Sequence, residues 1–149
     1  MRDALLLLVF AGILPFAMRH TWIAVLLWTW ISVMNPHKLA WGFAFHAPFA
    51  AAAAGAAFIS LAFNRDKLRM PREPEVFLLL LLVVWMCITT AFAYYPADAS
   101  TQLIKVLKIQ IMTFVALAAI RERKHIELFI WVNALSIAFY GFKGGLFTI

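Results

Sequence analysis

The chain has 149 residues, 65% hydrophobic and 13% charged, with a formal net charge of +6 and a mean hydropathy of +0.89. Soluble domains are about 45–50% apolar and about 25% charged. A soluble globular enzyme is therefore excluded, and so is a disordered chain, which is poor in apolar residues and rich in charge.

What remains is an integral membrane protein of the all-α class. A membrane span needs roughly 20 residues, so the length holds five or six segments in one polytopic transmembrane domain over residues 1–149. Segment one is Ala4–Met18, broken by Pro15 and preceded by Arg2. No small-x-small cleavage site with a polar stretch behind it follows, so this run is retained and is not a signal peptide. Segment two, Trp22–Met34, carries Trp22, Trp28 and Trp30. Both are short for a full span. They are expected either as short helices in a thinned bilayer or as a hairpin that does not cross fully. The turn Asn35-Pro36-His37-Lys38 leads into an aromatic, half-polar stretch that ends at His46.

Segment three, Pro48–Phe63, contains the run Ala50–Ala54 and Gly55, small residues that let helix backbones approach closely. The charged loop Asn64–Glu75 separates it from segment four, Val76–Ala93, the clearest span. Tyr94–Gln102 reads as a polar loop without Lys or Arg. Segment five is Leu103–Ile120, with Lys105 and Lys108 near its start. A basic turn, Arg121–His125, precedes segment six, Ile126 to about Tyr140.

The 13 Lys and Arg lie mainly in breaks between the apolar runs, which orients a membrane protein and is no footprint for nucleic acid. The loop 64–75 holds four of them and Arg121–His125 three, whereas Tyr94–Gln102 holds none. The positive-inside rule puts the first two in the cytoplasm and the third outside. Traced backward, the His37 loop is outside and the Arg19–His20 turn inside. The side of the N-terminus stays open, because it depends on whether segments one and two both cross.

Catalytic signatures are missing. No Gly-rich phosphate loop, nucleophile elbow, metal-ligand pair or shared carboxylate site is present, and neither metal nor cofactor is expected. Cys87 stands alone in an apolar run and reads as a core or lipid-facing residue. Lys105 and Lys108 are the most informative pair. Spaced three apart, they share a helix face, about one turn inside the outer end of segment five. Ionisable groups within a span are costly and often functional. They are candidates for holding an anion, such as the pyrophosphate of a lipid carrier. The competing reading is snorkelling to the interface. His37 and Lys38 are candidate outer-loop contacts for a headgroup or glycan, against the plainer reading of a turn with an interfacial cation. Asn133 and Ser136 are expected to bond across helices.

Three stretches carry a resemblance: Met1-Arg2-Asp3 with its run through Gly12-Ile13-Leu14-Pro15; Trp30–Ala44, with Asn35-Pro36-His37-Lys38-Leu39 at its centre; and Phe139–Thr148, with Gly141-Phe142-Lys143-Gly144-Gly145. Together the chain resembles the N-terminal region of the O-glycosylation ligases associated with the exosortase A system, relatives of the O-antigen ligases and polymerases. The resemblance implies a bacterial inner-membrane, multi-pass enzyme. Such enzymes move a glycan from an undecaprenyl-pyrophosphate carrier to an acceptor on the outer side, in an exopolysaccharide setting. It implies chemistry by Arg and His in a large outer loop of the C-terminal part, so no catalytic residue carries over to this sequence. The chain is then expected to be the N-terminal part of a longer ligase. Its partners would be the bilayer, the lipid-linked glycan and the remainder of the ligase or another membrane subunit. The alternative is a small non-catalytic accessory subunit of a larger membrane complex.

Overall fold

In a computed structural model, the structure describes residues 2–36, 48–63 and 73–148. They form six helices and, among the described residues, no strand. These are α1 (Arg2–Arg19), α2 (Thr21–Met34), α3 (Phe49–Phe63), α4 (Pro74–Ala91), α5 (Pro96–Ala119) and α6 (Arg123–Thr148). All six expected segments appear as helices. Only three, Pro74–Ala91, Pro96–Ala119 and Arg123–Lys143, combine the length and hydropathy of a membrane span. Three of the expected five or six spans reach that length and hydropathy; α1, α2 and α3 are apolar but shorter.

Local chemistry sets the helix ends. α2 stops at Asn35, which takes the left-handed conformation at φ 43°, ψ 50° and gives its N–H to the Ile31 carbonyl at 2.9 Å. Asn tolerates this region better than most side chains, and its Nδ2 reaches the Ser32 carbonyl at 3.2 Å. Pro36 follows and has no N–H to extend the helix. α4 opens on Pro74 in its first turn, with Glu73 extended before it, a position where the missing N–H costs nothing.

α5 departs most from the sequence expectation. It begins at Pro96, so most of the expected polar loop Tyr94–Gln102 is helical. Pro96 suits a first position, Asp98 favours the positive end of the helix dipole, and Ser100 and Thr101 bond back to the Ala97 carbonyl at 2.8 and 3.0 Å. Apolarity marks where the membrane begins, not where the helix begins.

The contacts divide the chain into two units, one holding α1, α2, α3 and α6 and the other α4 and α5. In the first, α2 packs against α1, α3 and α6, and α1 packs against α3. α2 is apolar around its whole circumference, as a helix must be when its neighbours surround it. It buries Ala24, Val25, Leu27 and Ile31. α3 buries Ala53, Ala56, Ala57 and Ser60, spaced i, i+3, i+4, i+7 on one face. These side chains end at or near Cβ, so backbones come close. Phe10 and Phe49 meet edge-on at 5.1 Å. In the second unit α4 buries no residue, whereas α5 buries Met112, Val115 and Ala118.

Candidate functional site

Lys105 and Lys108 lie on the third and fourth turns of α5, about 13 and 18 Å from its start at 1.5 Å per residue. The first two turns are polar, so both remain about one turn inside the apolar part that starts at Leu103. Both are exposed. Neither forms an ion pair among the described residues. They occupy one stripe with Met112 and Val115, at i, i+3, i+7 and i+10. That stripe is cationic and exposed near one end and buried near the other.

Near the turn that joins α4 to α5 the two helices enclose a cleft of about 330 Å³. Thr89 and Thr90 line it from α4, Ala93 from the turn, and Ala99, Gln102 and Val106 from α5. The Thr90 hydroxyl donates to the Met86 carbonyl at 2.7 Å, and the Thr89 hydroxyl lies 3.1 Å from the carbonyls of Trp85 and Met86. Their free lone pairs make the threonines acceptors toward the cleft, and Gln102 adds an amide. Lys105 and Lys108 do not line it.

The first unit brings together two breaks that are distant in sequence, Arg19–His20 and Arg121–His125. α1 and α3 end where α2 and α6 begin. Two contacts fix this. The Thr21 and Ser60 hydroxyls bond at 2.9 Å in the interior, and the Trp22 and His125 rings stack at 4.2 Å, 14° from parallel. Arg19, His20, Arg121, Arg123 and Lys124 are exposed around that stack. Arg123 Nε holds Glu127 at 2.8 Å one turn on. His125 Nε2 lies 3.8 Å from Glu122, its side chain is 15% exposed, and its Nδ1 is buried without a hydrogen-bond partner. Sequence reasoning took these breaks only as orientation signals. The signal for their meeting was present: both were assigned to the same membrane side, so their helix ends must lie at the same level.

At the opposite end of this unit the Tyr140 hydroxyl bonds to the Met34 carbonyl, tying α6 to the C-terminus of α2. The candidates His37 and Lys38 lie outside the described residues, as does His46. The expected bonds across helices from Asn133 and Ser136 are corrected. Asn133 Nδ2 donates to the Phe129 carbonyl at 2.8 Å and Ser136 Oγ to the Val132 carbonyl at 2.6 Å, both one turn back on α6 itself. A carbonyl one turn away costs no ordering of a second helix, so the local bond prevails. Cys87 is exposed, and no His, Cys, Asp and Glu group with metal-site geometry occurs among the described residues.

The whole chain, residues 1–149, matches the family described as a family of unknown function, DUF5935, and belongs to it. No curated protein and no solved structure matches the chain.

Proposed function

We propose that this member of the DUF5935 family is the N-terminal membrane part of a glycan ligase. The full protein would sit in a bacterial inner membrane with several crossings. It would transfer a polysaccharide or oligosaccharide from an undecaprenyl-pyrophosphate carrier to an acceptor on the outer side. α4, α5 and α6 are the crossings by length, and α1, α2 and α3 complete the five or six segments where the bilayer is thin. The basic breaks face the cytoplasm, and the α4–α5 turn faces out. What supports the ligase reading is the resemblance carried by the Asn35–Leu39 and Gly141–Gly145 stretches.

The observation that carries the site is the lysine pair. Two cations stand exposed on one face of an apolar helix, one turn inside its apolar part, with no carboxylate paired to them among the described residues. A diphosphate at that level gains two ammonium partners in a medium of low dielectric, where each charge contact is stronger than in water. The lysines hold the carrier's pyrophosphate while catalytic groups elsewhere in the ligase act on the sugar.

The test replaces both residues, Lys105→Ala and Lys108→Ala, in the full-length protein in its own membrane. Glycan on the acceptor and the amount of inserted protein are measured together. Loss of two charged contacts is expected to lower transfer at least tenfold at unchanged protein level, with the Lys→Arg pair retaining most of it. Normal transfer with both lysines gone would overturn the assignment.

A further inference from the structure

We infer that the cleft between α4 and α5 seats a neutral sugar, the one bonded directly to the carrier's diphosphate. The inference rests on the ligase reading and adds the substrate group that lies next to the lysine pair. Gln102 lines the cleft and stands three residues before Lys105, so the two share a side of α5. Along the helix axis Gln102 is about 4.5 Å nearer the start of α5 than Lys105, and about 9 Å nearer than Lys108. A lipid-linked glycan has a fixed order of groups: hydrocarbon, diphosphate, sugar. With the diphosphate at the lysines and the hydrocarbon in the bilayer, the first sugar falls at the height of the cleft. That end of α5 is its polar end, with Asp98, Ser100 and Thr101 exposed on the first two turns. A hydroxyl-rich ring is therefore met there by polar surface and not by hydrocarbon alone.

The lining selects the kind of ligand. Thr89 and Thr90 already give their protons to carbonyls about one turn back, at 3.1 and 2.7 Å, so they meet a ligand as acceptors. The Gln102 side chain makes no hydrogen bond among the described residues and offers both donors and an acceptor. Met86, Leu103 and Val106 supply the apolar wall. A sugar ring has the matching mixture, hydroxyls at its rim and C–H groups on its face. No charged side chain is among the lining residues, so a free anion finds no cation in the cleft. An acyl chain would cover the apolar wall but leave the Gln102 amide unbonded in hydrocarbon, which is costly. The volume of about 330 Å³ is at the lower end of the range for small-ligand sites, which suits a single ring and not an oligosaccharide.

The test measures binding to the purified full-length protein in detergent. The probes are undecaprenyl diphosphate without sugar and the same carrier bearing one glucose, galactose or N-acetylglucosamine. At least one sugar-bearing carrier is expected to bind about tenfold tighter than the bare carrier, the worth of one or two hydrogen bonds. The triple variant Thr89→Val, Thr90→Val, Gln102→Leu is expected to lose that preference and to bind the bare carrier as before. The pair Thr89→Ser, Thr90→Ser keeps both hydroxyls and is expected to keep the preference. Lys105→Ala with Lys108→Ala is expected to weaken every carrier alike. Equal binding of bare and sugar-bearing carriers, or a preference that survives in the triple variant, would overturn the sugar site and leave the lysine pair standing. The cleft would then face lipid or a neighbouring helix. Loss of bare-carrier binding in the triple variant would also overturn it, since these side chains would then serve the packing of the hairpin. Binding of no carrier at all would overturn the ligase reading and this site with it.

Discussion

Thr21 and Ser60 form the one hydroxyl pair among the described residues that bonds between two helices. Both are buried. Removing the Ser60 hydroxyl takes from the buried Thr21 hydroxyl its bond to the neighbouring helix, which costs more than the bond contributes net. Ser60→Ala is expected to lower stability by about 1 kcal/mol. Thr21→Val with Ser60→Ala should fall below the sum of the single changes, since each single change already breaks the shared bond. Denaturant titration of the four species in detergent reads this directly, and additive losses would mean the bond is not a coupled pair. At this scale legibility was uneven. Lys105 and Lys108 are conspicuous in sequence, because a cation inside an apolar run is rare. The Trp22–His125 stack is not, because nothing local in either residue names a partner 103 positions away. Asn133 and Ser136 misled for the opposite reason: they satisfy themselves within their own helix, a competitor that spacing alone does not weigh.

Among the elements, α3 shows how side-chain size sets packing. Ala57 is fully buried, so added volume meets neighbouring backbone. Ala57→Leu is expected to destabilise by about 1–3 kcal/mol. Gly55 lies two positions earlier, and a Cβ placed there meets nothing within 4 Å. Gly55→Ala should then raise stability by up to about 1 kcal/mol through helix propensity. Thermal unfolding of the two variants in one detergent should move in opposite directions. A drop for Gly55→Ala would show that this face is covered. The six helices were legible because each apolar run is long and bounded by charge, Pro or Asn. The start of α5 was not, because hydropathy reports the solvent of a residue and says nothing of its backbone. Pro96, Asp98 and the back-bonded Ser100 and Thr101 are ordinary helix-starting residues that happen to be polar.

For the whole chain, the proposed orientation turns on α5. Its 24 residues span about 36 Å, enough to cross a bilayer core. With Cys87→Ser as background, Asp98→Cys is expected to react with an impermeant maleimide added outside intact cells. Lys124→Cys should react only after permeabilisation. Labelling of both from outside, or the reverse pattern, would refute the orientation. The meeting of Arg19–His20 with Arg121–His125 follows from the same alternation of direction, which was readable in the spacing of basic residues.

α2 has one further consequence. It runs from the extended His20 to the left-handed Asn35, whose N–H closes the last turn on the Ile31 carbonyl, and its 14 residues cover only about 21 Å. A bilayer core is about 30 Å. α2 is also the helix that the other three surround or flank, so it cannot tilt or slide to make up the difference without disturbing all of them. Under the proposed orientation, in which α2 crosses, the bilayer would yield instead and thin around this unit, by an amount set by the stop at Asn35. This hydrophobic mismatch would make the four-helix unit a local dimple in the membrane and draw shorter-chained lipids toward it.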